Sequence, residues 1–335
     1  AVTTNLDVTT AAGSLTLDGI ISNAGGTTAS IDKDGAGTLV LAGANTYTGD
    51  TNITQGTVSV TNNTGLGQAG SGTVAISGPA TLEFAETLAI QAKTNTTIAD
   101  AGTISTTAGN TVSYATNIAA AGVANINVAE QLTLSGVISG AGGITKAGNG
   151  RLILTSANTN TGNTIVNGSG HLEITNAAGL GAQTNTVTLN NTSHLELEGN
   201  LNVLAKGAGG AAVGLFMSNG TALQNTAGDT TTWASNTQIT GTGTINVAGS
   251  QLTMSGVVSG AGGISKIGTG TLVLSAANTY TGNTTINGGV VSVTDSAGLG
   301  ATGGGTGSIA LTSGTLQLTG NNVNIAAKAG NATMG

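Results

Sequence analysis

The 335-residue chain has no cysteine, which excludes a disulfide scaffold and cysteine-ligated zinc or iron–sulfur sites. Its single proline excludes collagen and polyproline architectures. Charged residues make up only 6% of the chain, against about 25% in an ordinary soluble domain. Aromatic residues make up 2%. With two histidines, fourteen acids and seven bases, the side chains that do acid–base or metal chemistry are scarce. A formal net charge of −7 argues against nucleic acid as a partner. No run approaches the roughly 18 consecutive apolar residues of a membrane helix, so this segment is not expected to insert into a membrane. The opening Ala1-Val2-Thr3-Thr4 reads as a mature or trimmed terminus. What the chain has in quantity is glycine, 57 residues, and a hydrophobic fraction of 38%. That balance predicts a folded chain, because disordered segments combine low hydrophobicity with high charge.

The sequence repeats itself. Gln131 opens QLTLSGVISGAGGITKAGNGRLILTSANTNTGNT, and Gln251 opens QLTMSGVVSGAGGISKIGTGTLVLSAANTYTGNT. A third copy begins at Ser14 and carries four extra residues before Gly35, read as a loop-like insertion. The copies run approximately 14–130, 131–250 and 251–335, the last truncated, and residues 1–13 resemble the end of a copy. They diverge most at about 94–125 and 207–238.

Within each copy, short alternations such as Leu152-Ile153-Leu154 and Leu195-Glu196-Leu197 follow the period-two strand signal. Clusters of Gly, Asn, Ser and Thr separate them. No sustained 3.6-residue periodicity appears. Sandwich, propeller and solenoid all remain compatible with many short strands. The long regular spacing, the small uncharged turns and the shortage of large aromatics favour an all-β parallel solenoid. At roughly 20 residues per rung, each copy is expected to make about five or six rungs. The chain would then be a single continuous rod of about fifteen to seventeen rungs, roughly 70–80 Å long.

One stretch of each copy also resembles a known family. Lys146, Gly148, Gly150, Leu152, Leu154, Asn158, Thr159, Thr161, Gly162 and Thr164 follow the pattern of the autotransporter-associated β-strand repeat. Lys266, Gly268, Gly270, Leu272, Leu274, Asn278, Thr279, Tyr280, Thr281 and Gly282 follow it again, and the first copy matches from Lys33 to Gly49. The second copy departs by placing Asn160 where the others have Tyr47 and Tyr280. The resemblance implies a right-handed parallel β-helix from a secreted bacterial passenger, a class whose members commonly act as surface adhesins or aggregation factors.

Few residues are candidates for chemistry. Lys33, Lys146 and Lys266 share one repeat position, and Lys93, Lys206 and Lys328 share another. Both sets are expected to be solvated turn lysines that discourage edge pairing. His171-Leu172-Glu173 and His194-Leu195-Glu196 lie 23 positions apart, close to one rung. Stacking would set His171 over His194 and Glu173 over Glu196 at about 4.8 Å, a candidate set for a divalent metal. Alternation sends the leucines inward, so the expected state of these four residues is a solvated ladder on an exposed face. Asp32 and Asp34 are read as a charged turn on the insertion. Tyr47 and Tyr280 are read as lids over an apolar row with wet hydroxyls, Trp233 as cover for a core gap, and Gly303-Gly304-Gly305 as a flexible turn. Glycoside hydrolysis needs paired carboxylates, and the sole arginine is Arg151. No catalytic or cofactor-binding residue and no cofactor is therefore predicted.

The expectation is a non-catalytic, extracellular structural or adhesive solenoid at a bacterial cell surface. It would mediate adhesion, self-association or matrix formation. Its partners would be further copies of itself, cell-surface glycans or host surfaces. One alternative is the subunit of a head-to-tail filament, since the chain begins and ends within a repeat. The other is a polysaccharide-degrading β-helix enzyme.

Overall fold

The computed structural model describes residues 2–7, 13–207, 212–301, 307–320 and 332–334. Among these residues every regular element is a β-strand, and strands pair in parallel with partners about one rung away in sequence. The chain divides into two compact units, Ala1–Gly162 and Asn163–Gly335.

In the first unit one face is a seven-stranded ladder: Val2–Asp7, Ala29–Asp34, Thr51–Ile53, Thr73–Ile76, Asn95–Ile98, Ile118–Ala120 and Ile138–Ser139. A second face stacks Ser14–Leu17, Thr38–Leu41, Thr57–Val60, Thr81–Phe84, Thr103–Thr106, Ala124–Asn127 and Ile144–Ala147. A third stacks Leu88–Ile90, Thr111–Tyr114, Gln131–Leu134 and Arg151–Leu154. The second unit is built the same way. Its six-stranded face runs Asn202–Val203, Thr230–Trp233, Gln251–Met254, Thr271–Leu274, Val290–Val293 and Thr315–Leu318. A neighbouring face includes Thr164–Val166, Val187–Leu189, Val213–Met217, Asn236–Ile239 and Val258–Ser259.

The rungs are longer and fewer than the sequence suggested. Ile31 pairs with Thr51, Thr96 with Ile118 and Val187 with Leu215, which sets rungs of 20, 22 and 28 residues respectively. Rungs above 20 residues give about seven in one unit and six in the other, short of fifteen. The extra length sits in turns, which carry no period-two signal.

Alternation builds the core. Leu39, Val58, Leu82, Ile104 and Ile126 are successive register partners, all at most 1% exposed. Fully burying such a side chain contributes about 1.5–3 kcal/mol, and a one-residue slip would turn the whole row to solvent. Trp233 fills the same role in the row Val203–Trp233–Met254–Leu274 and is fully buried.

Asparagines fasten the turns across rungs. The Asn278 Oδ1 accepts the Val258 N–H at 2.7 Å, and its Nδ2 donates to the Gly298 carbonyl at 2.7 Å, some 20 residues in either direction. Asn45 does the same between Ile21 and Gly65. Each is 1% exposed. A single amide therefore satisfies one donor and one acceptor that would otherwise be buried and unpaired.

The neighbouring tyrosines correct the expectation of wet hydroxyls. Tyr47 and Tyr280 are fully buried, and their hydroxyls meet the buried hydroxyls of Thr51 and Thr284, each at 2.6 Å. Where the second copy has Asn160, that residue is also fully buried, and its Oδ1 finds no partner among the described residues.

Candidate functional site

The lysines are where the sequence reading fails most plainly. Lys33, Lys146 and Lys266 are 0% exposed, not solvated. Each is two residues after an inward isoleucine (Ile31, Ile144, Ile264) and keeps its phase. Lys33 pairs with Ile53, Ile126 with Lys146, and Lys266 with both Ile245 and Ile286. The four-carbon stem thus continues an isoleucine row. The ammonium curls onto turn carbonyls: Lys33 Nζ donates to Asp34, Gly35 and Gln55 at 2.8, 2.6 and 3.2 Å. Lys266 Nζ donates to Ile267, Gly268 and Gly288 at 2.8, 2.8 and 3.1 Å. Lys146 Nζ reaches Ala147 and Gly148 at 2.9 and 2.6 Å. These turns need glycine: Gly35 and Gly56 have φ of 77° and 66°, and a Cβ on Gly56 would lie 2.4 Å from the Gly37 carbonyl oxygen. Burial pulls Lys146 and Lys266 down to about 8.

The second lysine position is interior as well. Lys93 is 4% exposed, donates to the Gln68 carbonyl at 3.2 Å and sits 5.3 Å above the Tyr47 ring. Lys206 is 2% exposed and donates to the carbonyls of Gly181 and Ala182. Burial lowers both to about 8, with Asp50 opposing the shift at Lys93. Lys328 and Gly303-Gly304-Gly305 lie outside the described residues.

The histidine ladder forms in the anticipated register. His171 pairs with His194 and Glu173 with Glu196, and the two imidazoles lie 4.4 Å apart at 55°. Its surroundings differ from the expectation of an exposed face. Glu173 is 2% and Glu196 9% exposed, and both histidines are half-buried. The His194 Nδ1 is buried without a partner among the described residues. Burial lowers the His194 pKa, the neighbouring His171 lowers it further, and Glu196 works against both. Among the described residues no three His, Asp or Glu side chains gather as a group able to hold a metal ion. The register supplies stacked pairs without a converging ligand set.

Asp32 and Asp34 also stand elsewhere than expected. They lie on the strand Ala29–Asp34, not on a turn, half-buried on either side of inward Lys33. The inserted residues feed this strand. The Asn52 amide donates to the Asp32 carboxylate at 2.7 Å, and the Thr54 hydroxyl donates to the Asp34 carboxylate.

With five lysines turned inward, one outward row of the first unit is entirely neutral. In the first unit Thr38, Thr57, Thr81, Thr103, Asn125 and Thr145 form one register row, all half-exposed. At the strand spacing of about 4.8 Å this is a regular array of hydroxyl, methyl and amide groups without charge.

Comparison with known proteins agrees with this architecture. The passenger-associated-transport-repeat matches three times, at residues 31–60, 144–174 and 264–293. Each match spans one lysine cradle, one asparagine turn and the strands beside them. The chain is also 30% identical over 283 residues to the Adhesin BmaC autotransporter of Brucella suis biovar 1, covering 83% of this chain and 7% of that protein. No solved structure matches.

Proposed function

We propose that this solenoid with its three passenger-associated-transport-repeats is a non-catalytic, adhesive segment of a protein displayed on a bacterial cell surface. One observation carries the reading: the fold turns its described lysines inward and presents a neutral register row of Thr and Asn outward. A row without charge repels a second surface weakly, and its regular spacing repeats one weak contact many times. Affinity then comes from multiplicity and not from a single hot spot. The similarity to an adhesin autotransporter supports the same role, as does the repeat type.

The test is display of the chain on a non-adherent bacterium, with adherence to coated surfaces and settling of cells as readouts. Wild type is expected to promote one or both. Thr57→Asp together with Thr103→Asp, which puts charge on the threonine row, is expected to reduce the effect severalfold while unfolding temperature stays close to wild type. Failure of the wild type in both assays would overturn the proposal.

A further inference from the structure

The fold hides its aromatic residues. Tyr47, Phe84, Tyr114, Trp233 and Tyr280 are all 0% exposed. Phe216 is the exception: it lies on the strand Val213–Met217 between inward Leu215 and Met217, on the opposite, outward phase, and keeps part of its surface. Its register partners are Thr188 on one side and Gln238 on the other. Ile165 and Ser259 extend the row. Neighbouring strands lie about 4.8 Å apart, so a hydroxyl and an amide flank the ring at one strand spacing each. Among the described residues neither the Thr188 hydroxyl nor the Gln238 amide is tied up in an intramolecular hydrogen bond. The five strands of this face contain no charged residue.

The first unit provides an internal control. Val74 and Val187 hold equivalent places in the repeat, and the corresponding outward row reads Ala75, Thr97, Ala119 and Ser139. There a small polar residue replaces the ring and a methyl replaces the amide. The solenoid does not need an aromatic at this place to fold.

We infer that the Thr188–Phe216–Gln238 row is a binding platform for a neutral sugar ring of a glycan. A pyranose presents C–H bonds on one face and hydroxyls around its rim. The C–H face suits the electron-rich face of Phe216, and the rim hydroxyls suit a free amide and hydroxyl set to either side. A few placed polar groups around an apolar surface are how small-ligand sites fix orientation. A stacked nucleobase would also suit the ring, but nucleic-acid grooves carry cationic side chains along the backbone, and none stands here. An acidic sugar or a charged peptide finds no counter-charge. A single platform of this kind binds weakly, and display of many copies on a surface supplies the avidity.

The inference deepens the adhesive reading by naming a ligand class, and the two are tested apart. Saturation-transfer NMR with the purified chain would use neutral tetrasaccharides of glucose, galactose and N-acetylglucosamine as probes, with a sialylated tetrasaccharide beside them. Transfer to the ring C–H protons of at least one neutral probe is expected. Phe216→Ser should reduce it at least fivefold and Gln238→Ala about threefold, while Phe216→Trp retains it. Trp233 fluorescence checks that each variant is folded, and if Phe216→Ser fails to fold, Gln238→Ala and Phe216→Trp decide. Absence of transfer to every neutral probe, equal transfer to the sialylated one, or transfer undiminished in folded Phe216→Ser would each overturn the platform. A wild type that adheres to surfaces yet takes no sugar overturns the platform alone. One that takes sugar and does not adhere overturns the adhesive reading alone.

Discussion

Lys266 and Ile286 are register partners on adjacent strands, so a lysine and an isoleucine occupy successive places in one inward row. The stem contributes apolar packing and the head contributes hydrogen bonds to three turn carbonyls.

The two contributions separate by substitution. Lys266→Met keeps most of the stem and strips the carbonyls of their donor, at an expected cost of about 2 kcal/mol. Lys266→Ala loses the packing as well, for about 3–5 kcal/mol in total. Urea unfolding followed by Trp233 fluorescence reads both, since this single tryptophan lies in the same unit. A solvated lysine would lose no more than about 0.5 kcal/mol, and a result that small would show the cradle contributes nothing.

The pH response of these lysines has a definite sign. Lys146 and Lys266 titrate near 8 in the fold, against about 10.4 in an unfolded chain. Between those values the unfolded state binds more protons, so the lysine contribution to stability rises with pH from about 8 to 10.4. Unfolding free energies at pH 8 and pH 10, for wild type and Lys266→Met, isolate it. A lysine contribution that falls over this window would mean that the carbonyls hold the ammonium more strongly than burial opposes it.

At the other end of the scale stands His194. Burial and the stacked His171 push its pKa below 6.5, so the unfolded chain takes up a proton first as pH drops. Stability from this residue is therefore present above 6.5 and lost as pH falls through 6.5 toward the lower folded value. An NMR titration should place the His194 midpoint below 6.5. His171→Ala should raise it by removing the like charge; an unmoved midpoint would mean the 4.4 Å stack carries no electrostatic coupling.

Asn278 joins three rungs through one amide. Asn278→Ala orphans the Val258 N–H and the Gly298 carbonyl together, an expected loss of about 2–4 kcal/mol. Asn278→Asp keeps the acceptor for the Val258 N–H and loses only the donor to Gly298. Hydrogen exchange should show the Val258 amide accelerated in the alanine variant alone; equal acceleration in both would count against the amide as the tie.

Period two made the fold legible. It gave the strands, the inward leucines and the pairing of His171 with His194. It also contained the answer on the lysines, since Ile31-Asp32-Lys33 puts lysine in phase with isoleucine, and phase outweighs charge where the turn carbonyls accept the ammonium. Rung length was not legible because turns vary without a periodic signal. Burial of Glu173 and Glu196 was not legible because alternation assigns a face but cannot say what lies beside it. The neutral outer rows were hidden for a related reason. Thr57, Thr81 and Thr103 lie 24 and 22 residues apart, and only the register brings them into line.

The inward lysines and tyrosines have a consequence for digestion. Trypsin cuts after Lys or Arg and chymotrypsin after large aromatics, and each must draw several residues of extended chain into its cleft. Of the six described basic residues five are at most 4% exposed, and the sixth, Arg151, lies within a strand. Five of the six aromatics are fully buried. Cleavage inside the described solenoid must therefore wait for an opening of the rungs. The native chain should outlast its Lys266→Ala variant severalfold in dilute trypsin, with mass spectrometry reading the cut positions. In the described solenoid the residues these proteases recognise are also the ones holding its turns together.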